Sequence, residues 1–134
     1  TLFRSQLKAE LNGVTLFVFE APYIAMGKGR GFRPNVIRRL YGMPAVCEGF
    51  AHAAGIECAE VSISKLKKSF AGHGGADKAA MILAANRRGF KVRNDHEADA
   101  AACWHYAACL RFPQFAERYD PLYVQAERSR GALP

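Results

Sequence analysis

The stretch that most narrows the possible folds is Val14–Phe19, VTLFVF, which follows an Asn12-Gly13 turn signal and runs into Glu20. A continuous run of apolar, β-branched and aromatic residues predicts a strand covered on both faces, as in the centre of a parallel or mixed sheet. In such sheets ligands gather at the carboxyl ends of strands, which is where Glu20 stands. An acid at that point also marks a chain emerging into water, and this residue alone does not choose between the two.

The rest of the chain supplies the other layers. APYIAMGKGRGFRP, rich in glycine and basic residues, reads as a mobile loop. Helical pattern then runs to Ala54, interrupted near Gly42-Met43-Pro44 and stopped by Gly55. Ile56–Ile63 predicts a second, shorter strand, ADKAAMILAANRRG a helix ending before Gly89, and Glu97–Leu110 the last strong helix. Residues 111–134 contain three prolines and read as a peripheral C-terminal tail. Strand, helix, strand, helix, helix is an α/β order, and its β-helix-β unit implies parallel pairing. At 134 residues there is room for one core, so a single domain over 1–134 is expected. The chain opens in TLFRSQLKAEL, with Leu2, Leu7 and Leu11 at helical spacing and no initiating Met, which reads as a helix entered partway along a longer polypeptide.

No apolar stretch approaches the ~20 residues needed to span a membrane, so a soluble protein with no membrane partner is expected. Cys47, Cys58, Cys103 and Cys109 form neither a CxxC pair nor a dense disulfide pattern, and read as reduced, mostly buried thiols of a cytoplasmic protein. Cys103, His105 and Cys109 are not a zinc site on this spacing, because helical positions two apart face different ways. Charge is uneven: between Lys28 and Arg93 thirteen Lys/Arg stand against four acids, in a chain of formal net charge +7. Clustered basic charge with a pI near 9.5 is the footprint of a polyanion binder, most often nucleic acid.

Against that background, Asp95-His96-Glu97-Ala98-Asp99 is anomalous. Helix capping accounts for Asp95 as N-cap and Glu97 as a first-turn acid. It leaves Asp99, since Asp is a poor interior helix residue. His96 lies three residues before Asp99 on the same face, and Asp95 four before; carboxylates at that spacing repel unless a cation lies by them.

Three features in order, LFVFEAP, SKLKKSFAGHGGADKAAM with Gly72, Gly74, Ala76 and Lys78, and HEADAAA opening a helix, resemble the RuvC-type Holliday junction resolvases. The resemblance covers roughly Leu7 to Leu110. It implies an RNase H-like fold, a mixed sheet flanked by helices, and a site of four side chains holding two divalent cations, Mg²⁺ or Mn²⁺. Glu20 matches the family's strand-ending Glu and Asp99 its final helix Asp, while His96 stands where many members have Asp and some have His. Asp95 is a further possible ligand. The first-strand Asp of the family has no counterpart before Glu20, so the N-terminal strands are expected to be missing and this fragment alone to be inactive. The implied activity is that of a structure-selective endodeoxyribonuclease on four-way junctions, in a homodimer.

That reading also explains the charge, because an acidic metal pocket needs a basic surround to bring phosphates to it. Lys28, Arg30, Arg33, Lys65, Lys67, Lys68, His73 and Lys78 are the expected DNA contacts, with Lys67 or Lys68 nearest the scissile phosphate. Tyr23 or Phe32, in the loop ending at Arg33, could stack on exposed bases. The alternatives are another RNase H-like nuclease acting on branched DNA or hybrids, a non-catalytic DNA-binding module, and an α/β domain whose acids are only caps.

Overall fold

The structure, a computed structural model, describes residues 5–6, 9–23 and 34–131. They fall into two compact units, Thr1–Val61 and Ser62–Pro134. Lys28, Arg30, Phe32, Arg33, Leu2 and Leu7 lie outside the described residues.

In the first unit, β1 (Leu16–Glu20) and β2 (Glu57–Val61) pair in parallel, in a register running from Leu16↔Glu57 to Glu20↔Val61. Parallel pairing follows from the helical connection between them, α1 (Pro34–Ala53), as the β-helix-β order implies. Buried Leu11, Ala51 and Ile56 form the core, with Val14, Phe17, Phe50 and Cys58 packed against them. Because side chains alternate along a strand, Phe17 and Phe19 share the face turned to this core, while Leu16, Val18 and Glu20 occupy the other. The five residues of β1 are half-buried rather than fully covered. Helix α1 continues through Pro44, where the sequence suggests an interruption. A proline removes one i→i−4 hydrogen bond and leaves the rest of the ladder in place. The helix stops where expected: Gly55 takes φ +70°, and the Ile56 amide turns back to the Ala51 carbonyl at 2.8 Å.

The second unit is helical: α2 (Ile63–Ala71), α3 (Lys78–Arg87), α4 (Asp95–Arg111), α5 (Pro113–Ala116), a 3₁₀ turn (Glu117–Tyr119) and α6 (Pro121–Ser129). Helix α2 occupies what the sequence reads as the end of a strand and a lysine-bearing connector. It is nine residues long and amphipathic: Leu66 and Phe70 form its buried stripe, with Lys65, Lys67 and Lys68 on the other positions. Ala98, Ala101 and Ala102 of α4 are buried and let α2 and α3 approach closely. Within residues 111–134, Pro113 and Pro121 stand at helix starts, where a missing N–H costs nothing. This segment contributes to the core: Val124 is 2% exposed, and Tyr119 stacks on Phe90 at 5.5 Å between ring centroids with Trp104 edge-on. No helix among the described residues is long and apolar enough to cross a membrane.

Candidate functional site at the start of helix α4

Helix α4 begins one residue earlier in its capping than the sequence suggests. Asn94, not Asp95, is the N-cap: its Oδ1 accepts from the Glu97 amide at 2.9 Å. Glu97 reaches back and accepts from the Arg93 amide at 2.8 Å, and its other oxygen holds the Arg93 guanidinium, also at 2.8 Å. The arrangement is a capping box displaced by one residue. The Arg93 hydrogen bond holds the Glu97 carboxyl below its usual range.

Asp95 is thereby released from capping and forms an ion pair with Lys78, the first residue of α3. Its carboxyl is depressed chiefly by the Lys78 hydrogen bond, and the Lys78 ammonium is raised by the same bond. Asp95 is therefore a carboxylate already matched by a protein cation. This weakens it as a metal ligand relative to Asp99.

Asp99 is half-buried, one turn into α4, and takes no part in the cap. Burial pushes its carboxyl above the usual range, against the opposing pull of Lys67 and of Lys78, while the Asp95 charge adds to the rise. His96 is exposed and lies one turn before it on the same helix face, as the three-residue spacing requires. Capping thus accounts for Asn94 and Glu97, and ion pairing for Asp95; His96 and Asp99 are left over.

The lysines separate in the same way. On α2, Lys65 and Lys68 are exposed on the side away from Leu66 and Phe70. Lys67 is half-buried, and its Nζ donates to the Ala76 carbonyl at 2.6 Å. His73 is exposed in the connecting loop. Tyr23 is 69% exposed. Asn94 was legible as the first member of an Asn-x-x-Glu pattern, whereas the Lys67 and Lys78 partners had no local signal in the sequence.

Glu20 ends β1 in the first unit, half-buried, on the face of Val18 and in register with Val61. Glu60 pairs with Phe19 and so lies on the opposite face. Two donors on one helix face, a carboxylate and an imidazole, suit a divalent ion that tolerates mixed oxygen and nitrogen ligation. They are fewer than such an ion needs, and among the described residues no three His, Cys, Asp or Glu are gathered to hold one. His105 and Cys109 serve packing: His105 is 8% exposed, stands edge-on to Phe70 at 5.5 Å, and has the Cys109 Sγ 3.5 Å from its Nε2. None of the four cysteines is in a disulfide.

No family model and no curated protein matches the chain. Among solved structures, it is similar to that of RuvC from Thermus thermophilus, with a TM-score of 0.57 and 20% identity, over 82% of this chain and 67% of that one. The likeness speaks for the fold: an α/β chain with a small parallel sheet and several helices, arranged as in a RuvC structure.

Proposed function

We propose that the protein is a metal-dependent endodeoxyribonuclease that cuts branched DNA, four-way junctions above all, with Glu20, His96 and Asp99 as its metal-holding side chains. The observation that carries the proposal is Asp99: a carboxylate held half out of water one turn into a helix, without a capping role, with His96 beside it. A capping acid gains by facing solvent and the free amides of the first turn, whereas Asp99 is half-buried and lies beyond that turn. The RuvC-like fold and the basic middle of the chain support the same reading.

Bound divalent cations would supply Lewis-acid activation for in-line hydrolysis of a phosphodiester. The chain's own residues would do the rest. Asp99 and Glu20 would provide fixed negative charge, and His96 a nitrogen donor that favours Mn²⁺ over Mg²⁺. Lys65 and Lys68, exposed on one side of α2, would draw the DNA backbone and position it.

The test is cleavage of a synthetic four-way junction by the natural polypeptide with Mn²⁺ or Mg²⁺. Symmetric nicking is expected. Asp99→Asn and Glu20→Gln should each reduce it by about 10²-fold or more with junction binding retained, since removal of a group acting on developing charge costs that much. Metal-dependent cleavage unchanged by both substitutions would overturn the assignment, and tight binding without cutting under either metal would make the protein a DNA-binding module.

A further inference from the structure

The Gly72–Lys78 motif and the lysine that precedes it do something the proposed nuclease chemistry does not use. The loop between α2 and α3 is bound down along its length. Its first residue closes α2, the Gly72 amide donating to the Lys68 carbonyl at 3.1 Å. Gly74 passes so close to α2 that a Cβ there would stand 3.3 Å from the Ser64 carbonyl oxygen. The Ala76 amide turns back to the His73 carbonyl at 3.3 Å, and Ala76 itself is 1% exposed. Its carbonyl takes the Lys67 ammonium at 2.6 Å. Asp77 then caps α3, accepting from the Ala80 amide at 2.8 Å, and Lys78 in the next position pairs with Asp95 at the start of α4.

From this chain of contacts we infer that Lys67 is a positioning residue: its ammonium pins the Gly72–Asp77 loop to α2, and so sets the start of α3, from which Lys78 holds the start of α4. A buried carbonyl without a partner is costly, and a charged donor is a strong remedy. The neighbours Lys65 and Lys68 are exposed and remain available to phosphate. The assignment concerns the site of the proposed nuclease, and rests on that reading only where DNA is the readout.

Three measurements on the whole protein test it. Limited acetylation read by mass spectrometry should modify Lys65 and Lys68 about fivefold or more faster than Lys67, because Lys67 reacts only after leaving its carbonyl. Lys67→Met should speed amide hydrogen exchange in residues 73–78 about tenfold and leave 81–85 unchanged, and Lys67→Arg should return most of the protection. With junction DNA, Lys65→Met and Lys68→Met should each lower the slope of log affinity against log salt by about 1, whereas Lys67→Met should leave it unchanged. Acetylation of Lys67 at its neighbours' rate, unchanged exchange in Lys67→Met, or loss of a full unit of salt slope in that variant would each overturn the inference. Should Lys67→Met fail to fold, acetylation of the unaltered protein and exchange in Lys67→Arg still decide. Should no form bind a junction, the nuclease reading falls, while acetylation and exchange still decide the role of Lys67.

Discussion

Asp99 is more costly to ionise in the folded protein than in the unfolded chain, because burial outweighs the attraction of Lys67 and Lys78. The sign follows. Above its raised pKa the folded state must keep a carboxylate that the unfolded state solvates better, and stability is lost there. Below the ordinary carboxylate range the group is protonated in both states and has no effect. Asp99→Asn is therefore expected to raise the thermal midpoint at pH 7, the gain fading as pH falls toward the usual carboxylate pKa, and, on the proposed function, to abolish junction cutting. Equal or lower midpoints for the variant across that range would show that burial of the Asp99 carboxylate costs no stability. His105 behaves in the opposite sense. Burial among Phe70, Tyr119 and Cys109 lowers its pKa to about 4 from the ordinary 6.5. The unfolded chain takes up its proton first, so stability falls as pH drops from about 6.5 to 4, by on the order of 1–2 kcal/mol once partial solvent screening is allowed. Urea denaturation at pH 7 and pH 4.5 should show this difference reduced in His105→Leu.

At the scale of elements, the start of α4 depends on a cap supplied from outside its acidic cluster. Asn94→Ala should cost about 1 kcal/mol in urea denaturation. Asp95→Ala should cost less, because its partner Lys78 is an exposed side chain. The reverse order would restore Asp95 as the cap. Gly74→Ala should destabilise the α2–α3 loop, since the added methyl would press on the Ser64 backbone, and hydrogen exchange there should quicken. Helices α3 and α4 were legible from caps and terminal glycines, and α1 from its stop at Gly55. Helix α2 was not read, although Ile63, Leu66 and Phe70 recur at helical spacing between its lysines, because the preceding strand pattern ran on into Ile63 and the nine residues are few. The short helices after α4 were hidden for a related reason: Pro113 and Pro121, read as breaks, begin helices instead of ending them.

Across the whole molecule, the proposed binding of DNA makes the excess of basic over acidic charge the source of a salt dependence. Junction affinity should fall steeply between 50 and 200 mM salt, by about tenfold or more if even a few phosphates are neutralised. A titration in which affinity is insensitive to salt would remove electrostatics as the basis of binding. What the sequence by itself determined is whatever a local period or a fixed helical pitch can encode: the strand at Leu16–Glu20 and its parallel partner, the helix beginning near Asp95, and His96 one turn from Asp99. Only the tertiary structure decided which charges are matched. Asp95 meets Lys78 and Ala76 meets Lys67 because α2, α3 and α4 pack through small and apolar side chains, with Ala98, Ala101 and Ala102 buried. These partners stand seventeen and nine residues apart in the chain. No periodicity links such positions, and only packing brings them within hydrogen-bonding distance, so the division of the acids into cap, ion pair and candidate ligand is a property of the folded state.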